Sequence, residues 1–270
     1  MLFRSVGSSL IGQTTDESAA YFQTLANDLA RDRNLAETHI RYDIDMHFEP
    51  VTLVENQRVC EDICILKFDR KINVQAGEFI FLWIPGLGEK PFSALTDDPF
   101  SLVVIDVGVF THALMDLAPG TAAYVRGPHG IAVNPPQDAK IMAVAGGTGL
   151  AAVYQVARDF GNAEVFAGAR TAERLYYLDE CKQIAEVHVA TDDGSAGFHG
   201  VVTELLRERL QSMSTAEREQ LVFYNCGPQP MVHAAVAVQR EFCRDEQIFS
   251  AIDYLTKCGV GICGACASPD

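Results

Sequence analysis

The sequence has few cationic residues and no long apolar run. Lys and Arg together number 21 against 36 Asp and Glu, which gives a formal net charge of −15 over 270 residues. Because phosphate recognition requires a cationic surface, this balance argues against binding to nucleic acid or to an anionic membrane. No apolar stretch reaches membrane-spanning length, and residues 1–12 hold too short an apolar run for a secretory signal. We therefore expect a cytoplasmic protein without a membrane partner.

Cysteine is too sparse for a disulfide-built protein, with eight residues in the whole chain. Three of them, Cys258, Cys263 and Cys266, lie close together with the spacing C-x4-C-x2-C. In a cytoplasmic protein such clustering indicates metal or redox chemistry rather than disulfide bonds. Cys60 and Cys64 have the spacing of one face of a single strand, so we expect them to be core residues.

Hydrophobic patterns divide the chain into four parts. Residues 1–49 form an N-terminal extension, in which helical spacing of apolar residues predicts a helix near 21–29. Residues 50–136 contain short period-two segments separated by turn residues, typical of a small antiparallel barrel. Residues 137–245 alternate apolar runs with helical patterns, which predicts a doubly wound parallel sheet binding ligands at its carboxyl edge. Residues 246–270 carry the cysteine cluster, so the fold class is β followed by α/β.

The same patterns predict individual elements. Barrel strands are expected at 51–55, 58–68, 78–84, 101–107 and 122–127, with a short helix at 110–117. Parallel strands are expected at 140–145, 164–168, 186–191 and 221–225. The intervening helices are expected at 149–161, 171–184, 200–210 and 228–245.

A glycine-rich turn follows the first predicted parallel strand. Glycines there let the backbone approach a ligand, and the start of the next helix presents unpaired N–H groups to an anion. A simple tight connection would look the same. Two more loops, "TDDGSAGFHG" and "CGPQPM", follow the third and fourth parallel strands and should line the same edge. Cys226, at the end of the fourth strand, would face a bound ring or fill the core. The turn residues are Gly146, Gly147, Thr148 and Gly149.

The barrel half contains a second candidate site in "GEKPFSAL". Lys90 supplies a cation beside the rigid Pro91, while Phe92 and Ser93 supply an apolar face and a hydroxyl. A planar cofactor with a phosphate tail needs this combination. A second possible phosphate site lies at Gly108 and Thr111, at the start of the short helix, and residues 126–130 form a third tight turn.

Eight segments in order carry a family resemblance. They read "KPFSAL", "VGVFTHAL", "RGPHGIAV", "AGGTGL", "GARTAERLYY", "TDDGSAGFHG", "CGPQPM" and "CGVGICGAC". Across residues 50–270 the chain resembles the ferredoxin–NADP⁺ reductase superfamily. More narrowly, because of the cysteine cluster, it resembles the electron-transfer subunits of dihydroorotate dehydrogenase B. The resemblance implies an FAD-binding barrel, a nicotinamide-nucleotide domain and a C-terminal [2Fe–2S] segment.

The resemblance also implies roles for particular residues. Lys90 would replace a flavin-phosphate Arg, keeping the charge but losing the bidentate fork. Cys226 and Gly227 would lie near the nicotinamide, with Cys226 the residue at the reacting ring, and Asp193 and Gly194 beside the nucleotide. Along the flavin would lie Pro91, Phe92 and Ser93, against its pyrophosphate Gly108, Thr111 and His112, and against the NAD pyrophosphate Gly146, Gly147, Thr148 and Gly149.

The cysteine spacing is that of plant-type [2Fe–2S] proteins, whose fourth cysteine lies farther along the chain. A structural zinc site and three unligated thiols are the alternatives, although zinc sites usually pair two C-x2-C units. Only four residues follow Cys266, so we expect a chain cut before its final ligand and a cluster held poorly.

The resemblance implies a flavin- and NAD-dependent oxidoreductase of pyrimidine biosynthesis. Electrons would pass between NAD(H), FAD, [2Fe–2S] and a catalytic dihydroorotate dehydrogenase subunit, in a heterotetramer. Arg170 leaves NADP open, because it could meet a 2′-phosphate. The rival functions are the small subunit of an NADH-dependent ferredoxin–NADP⁺ oxidoreductase or sulfide dehydrogenase, and a non-catalytic flavin- and nucleotide-binding module.

Overall fold

A computed structural model describes residues 47–136, 138–251, 256–259 and 263. The predicted helix near 21–29 and the thiol of Cys266 lie outside these residues. Across the part of the chain that is described, no helix is both long and apolar enough to cross a membrane.

The first half is a seven-stranded antiparallel sheet, as the period-two pattern predicts. In hydrogen-bonding order the strands run β4-β3-β7-β1-β2-β6-β5, and one short helix, α1, follows β6. The bounds are β1 Glu49–Cys60, β2 Ile63–Phe68, β3 Glu78–Ile84, β4 Gly88–Phe92, β5 Ala94–Asp97, β6 Phe100–Ile105, α1 Val109–Met115 and β7 Ala122–Gly130.

The sheet curls into a barrel whose seam lies at one residue. Its two edge strands, β4 and β5, are consecutive in the chain and separated by Ser93 alone. A single residue can connect the first and last strands of a seven-stranded sheet only if the sheet closes on itself. The sheet is therefore a barrel, and the seam is the place where its two edge strands adjoin at Ser93. The interior is filled by buried residues such as Leu66, Phe68 and Phe100.

The second half is a six-stranded parallel sheet with helices on both faces. Its order is β11-β10-β9-β8-β12-β13, so the chain reverses direction across the sheet between β8 and β12. The bounds are β8 Lys140–Gly146, α2 Gly149–Phe160, β9 Ala163–Ala169, α3 Leu178–Ile184, β10 Glu186–Thr191, β11 Phe198–His199, α4 Val202–Ser212, α5 Thr215–Glu219, β12 Leu221–Cys226, α6 Gln229–Arg240 and β13 Ile248–Ala251.

One hydrophobic cluster crosses from the barrel into the parallel sheet. It contains Leu95 and Val103 of the barrel together with Ala145, Leu150 and Val153 of the second half. Burial of apolar area at roughly 25 cal/mol per Å² makes such a shared core the main force holding the two halves in one orientation. The carboxyl edge of the parallel sheet is therefore fixed against the barrel wall.

Three predicted boundaries change in the structure. Cys60 and Cys64 lie on different strands, β1 and β2, because residues 61–62 form a turn. The predicted helix 171–184 is split, since Tyr176 donates its buried hydroxyl to the Gly147 carbonyl and Tyr177 takes a left-handed conformation. Strand β13 extends the parallel sheet into the predicted cysteine segment, because residues 248–251 pair with β12.

Candidate functional site

Two loops at the carboxyl edge of the parallel sheet are locked together by glycines. Strands β8 and β12 are neighbours, with Cys226 opposite Ala145. A Cβ added to Gly149 would lie 1.9 Å from the Cys226 carbonyl oxygen, and one added to Gly227 would lie 2.8 Å from the Gly146 carbonyl oxygen. Only glycine therefore permits this contact, which brings the predicted pyrophosphate turn against the half-buried Cys226.

The turn opens into a small pocket with a cation that sequence patterns did not reveal. Its lining includes Gly146, Gly147 and Gly168 from two strand ends, together with Tyr176. Among the described lining residues, Arg174 carries the charge. Its guanidinium also pairs with Asp62 of the barrel at 2.7 Å, and so it bridges the two halves of the molecule. Thr148 completes the predicted turn as the residue before α2.

Asp193 and Gly194 lie farther along the same edge, beyond β10. The Asp193 carboxylate accepts hydrogen bonds from the backbone and hydroxyl of Ser195, which hold its pKa below the usual range. The Asp193 N–H donates to the Arg170 carbonyl oxygen, so the loops after β9 and β10 meet. The structure thus brings Asp193 and Gly194 beside Arg170, two strands away from the glycine-rich turn.

The predicted flavin segment occupies the barrel seam. Lys90, Pro91 and Phe92 end the edge strand β4, and Ser93 is the seam residue. Lys90 is exposed, whereas the other three are half-buried. The ring of Phe92 lies 6.4 Å from that of Phe110 in α1, so the seam and the start of α1 adjoin. An edge strand presents backbone groups for a ligand to pair with.

The loop before α1 is shaped by Thr111. The Thr111 hydroxyl accepts from the N–H groups of Val107 and Gly108 at 2.9 and 3.0 Å, and donates to the Gly108 carbonyl oxygen. His112 Nδ1 lies 2.7 Å from a carboxylate oxygen of Asp106. That hydrogen bond raises the pKa of His112, and the Thr111 hydroxyl fixes the backbone of the loop.

The start of the cysteine segment lies on the barrel wall. The carbonyl oxygens of Lys257 and Cys258 accept hydrogen bonds from Arg126, a residue of β7 that is 2% exposed. Cys258 is half-buried and Cys263 is exposed. Sequence patterns placed Arg126 only in a tight turn, because nothing local shows that its partners lie 132 residues away.

A separate cleft of about 750 Å³ opens between the barrel and α2. Its lining includes Asp97 and Arg158, which pair with each other at 2.7 Å, and Tyr154. None of the site residues predicted from the sequence and described by the structure lines this cleft. Because the predicted site residues lie elsewhere, we place the functional site at the sheet edge and the barrel seam instead.

The chain is similar to known oxidoreductases in sequence. Residues 143–237 match the family of oxidoreductase NAD-binding domains. The chain is 37% identical to the probable dihydroorotate dehydrogenase B (NAD(+)) electron transfer subunit of Pyrococcus abyssi, over 80% of this chain and 83% of that one. It is 36% identical to the protein of the same name from Methanocaldococcus jannaschii, over 75% and 76% of the two chains.

Solved structures show the same architecture. A chain of an NADH-dependent reduced ferredoxin-NADP oxidoreductase, described in connection with flavin-based electron bifurcation, superposes with a TM-score of 0.70 and 26% identity, covering 80% of each chain. The ferredoxin reductase of carbazole 1,9a-dioxygenase superposes with a TM-score of 0.66 at 20% identity, over 76% of this chain and 68% of that one, which supports the fold. The predicted barrel followed by a doubly wound domain is confirmed.

Proposed function

Because the chain belongs to the family of dihydroorotate dehydrogenase B electron-transfer subunits, we propose that it passes electrons between a catalytic dihydroorotate dehydrogenase subunit and NAD⁺. The observation that carries this proposal is the glycine-locked contact of the turn at Gly149 with Cys226, on a sheet edge whose core is continuous with the barrel. A nucleotide bound at that edge would therefore face the barrel seam.

The nucleotide would be held by the carboxyl edge of the parallel sheet. Gly147 and Thr148 precede α2, and the backbone N–H groups where the turn enters the helix would donate to the pyrophosphate. Arg174 would add a positive charge, and Cys226 and Gly227 would bound the nicotinamide ring. Asp193, held ionised by Ser195, would accept from ribose hydroxyls and repel a 2′-phosphate. We therefore propose NAD as the nucleotide.

The barrel seam fits FAD in its chemistry. Lys90 and His112, whose pKa is raised by the hydrogen bond to Asp106, would contact phosphate, and Pro91 and Phe92 would supply apolar contacts from the two faces of β4. The unpaired edge at Ser93 supplies backbone groups for the polar rim of the isoalloxazine. Thr111 orders the Gly108 loop by its three hydrogen bonds, and so it would preorganise the pyrophosphate site.

The thiol ligands fit an iron–sulfur centre in type and spacing. Cys258 and Cys263 would be ligands, with Cys266 a third from outside the described residues. Thiolate is also a zinc ligand, so iron content must be measured. When bound, FAD would couple hydride transfer to single-electron transfer, and a [2Fe–2S] centre would carry single electrons onward.

The test is a coupled assay with the partner subunit. Full-length protein purified with the catalytic dihydroorotate dehydrogenase subunit should form NADH from NAD⁺ when dihydroorotate is supplied. The rival function, suggested by the similarity to the NADH-dependent ferredoxin-NADP oxidoreductase, predicts turnover with reduced ferredoxin and NADP⁺ instead. Activity in the second assay alone would overturn the proposal, and bound flavin without activity in either would indicate a binding module.

A further inference from the structure

Arg126 is a buried cation whose donors are all used. Its Nε and Nη2 atoms form a fork on the Glu89 carboxylate at 3.0 and 2.9 Å. Nη1 donates to His129 Nε2 at 3.2 Å and to the Cys258 carbonyl oxygen at 2.9 Å. Nη2 also donates to the Lys257 carbonyl oxygen at 3.2 Å. A guanidinium has five N–H donors, so each one has a partner.

The hydrogen bonds of Arg126 connect the barrel to the cysteine segment. Three of the five have acceptors in the barrel, on Glu89 and His129, and two have acceptors in the cysteine segment. The guanidinium also covers the Phe81 ring, 3.7 Å from its centroid. Unpaired donors on a buried charge are costly. The barrel alone therefore leaves Arg126 incomplete, and the carbonyls of 257 and 258 complete it.

A second contact, independent of charge, holds the same segment. Gly259 is buried and has a φ of +83°, and a Cβ there would lie 2.8 Å from the Phe81 ring and 3.0 Å from the His129 ring. The backbone of residue 259 thus packs directly on two barrel rings. Glycine satisfies both the left-handed conformation and the close approach.

The docked segment lies on the wall that carries the predicted flavin strand. Phe81 is the cross-strand partner of Arg126 in β7 and of Pro91 in β4. Cross-strand partners project from the same face of a sheet. Arg126, Phe81 and Pro91 therefore share one face, and the backbone of Cys258 is fixed on it.

We propose that Arg126, Glu89, Phe81 and His129 form a docking site on the barrel wall that positions Cys258 beside the flavin strand. Arg126 is thus a positioning residue, which acts on the cluster through the backbone of its first ligand. The inference rests on the proposed function for what Cys258 binds, but the docking itself is a property of the chain.

The test measures alkylation of individual thiols in full-length, reduced, metal-free protein, using iodoacetamide and peptide mass spectrometry. Arg126→Lys keeps the charge but has three N–H donors for the five acceptors that Arg126 serves, and it lacks the planar fork that binds Glu89. Gly259→Ala leaves Arg126 intact and adds the ring clash. Each variant should raise the labelling rate of Cys258 about tenfold or more, because Arg126→Lys loses charge-assisted hydrogen bonds to the segment and Gly259→Ala overpacks its contact with the two rings. The exposed Cys263 should label rapidly throughout.

The matched control is Gly120→Ala. Gly120 has a φ of +91°, close to that of Gly259, but a Cβ there would meet nothing within 4 Å. It therefore reproduces the backbone strain without the clash and should leave Cys258 labelling unchanged. Thermal unfolding of each variant shows whether the barrel is folded. If folded Arg126→Lys and Gly259→Ala proteins both label Cys258 at the wild-type rate, the docking proposal is wrong.

Reconstitution with iron distinguishes an error in the iron–sulfur assignment from an error in the docking proposal. After reconstitution with iron and sulfide, the variants should bind iron but give an altered electron paramagnetic resonance line shape. If the wild type binds no iron yet the labelling contrast appears, docking stands and the iron–sulfur assignment fails. If iron binds and line shapes are unchanged in the folded variants, Cys258 is not positioned through Arg126.

Discussion

Replacing Gly149 by Ala should separate the two loops of the nucleotide site. The added Cβ would lie 1.9 Å from the Cys226 carbonyl oxygen and 2.3 Å from its carbonyl carbon, so the loops must part by about 1 Å. Overpacking of this kind lowers the free energy of unfolding by about 1–3 kcal/mol. We expect the upper end, because the two atoms that the Cβ would contact belong to the backbone and cannot rotate away. The better helix propensity of Ala returns at most about 1 kcal/mol.

The effect on nucleotide binding should be of about the same size as the effect on stability. Moving the start of α2 disrupts hydrogen bonds to the pyrophosphate, and each bond to a charged group contributes about 1.5–3 kcal/mol. The Kd for NADH should therefore rise about 10- to 100-fold. Titration calorimetry of the purified variant measures it, beside a thermal unfolding curve.

The control lies at the other end of the same helix. Gly161 ends α2 with a φ of +72°, and a Cβ there would contact nothing within 4 Å. Gly161→Ala should cost about 1 kcal/mol of stability and leave the Kd for NADH unchanged. A Gly149→Ala protein with the wild-type Kd and melting temperature would refute the proposed contact between turn and thiol loop.

Three further predictions concern charged residues. Asp62→Asn removes the ion pair with Arg174. Because both side chains are about one-third exposed, the free energy of unfolding measured in urea should fall by about 1 kcal/mol or less; a fall of several kcal/mol would show that the ion pair contributes more than an exposed pair does. The raised pKa of His112 means that its pairing stabilises the fold below the ordinary His pKa and is lost as pH rises through the folded value; NMR titration should show that Asp106→Asn lowers this pKa, and an unchanged pKa would exclude the hydrogen bond. Arg170→Ala should leave the Kd for NADH within about twofold, since an exposed guanidinium contributes little; a tenfold rise would give Arg170 a direct role in NAD binding.

The parts of the fold that the sequence predicts are those with local causes. Continuous apolar runs at 140–145 and 221–225 become buried strands β8 and β12, because a parallel sheet covered on both faces leaves no polar side. The glycine turn before α2 follows from the strand–turn–helix pattern. The break at Tyr177 escapes prediction, because it depends on the Tyr176 hydroxyl reaching Gly147, 29 residues away.

Two arginines show the same limit at the site. Arg126 contacts the cysteine segment 132 residues later, and Arg174 contacts Asp62 112 residues earlier. No local sequence pattern indicates either contact, because the partners of each arginine are brought close only by the tertiary fold. The cysteine spacing, by contrast, is a local signal and identified Cys258 and Cys263, whose ligand roles remain predictions.

The most direct measurement is an anaerobic NADH titration of the full-length protein as purified, followed by visible absorption. Bound flavin should be present, and its yellow absorption should bleach with about one equivalent of NADH, or about one and a half where a [2Fe–2S] centre also takes one electron, because each NADH delivers two electrons. Protein that contains no flavin, or flavin that stays oxidised in excess NADH, would contradict the claim that the sheet edge at Cys226 and the barrel seam at Ser93 form one electron-transfer site.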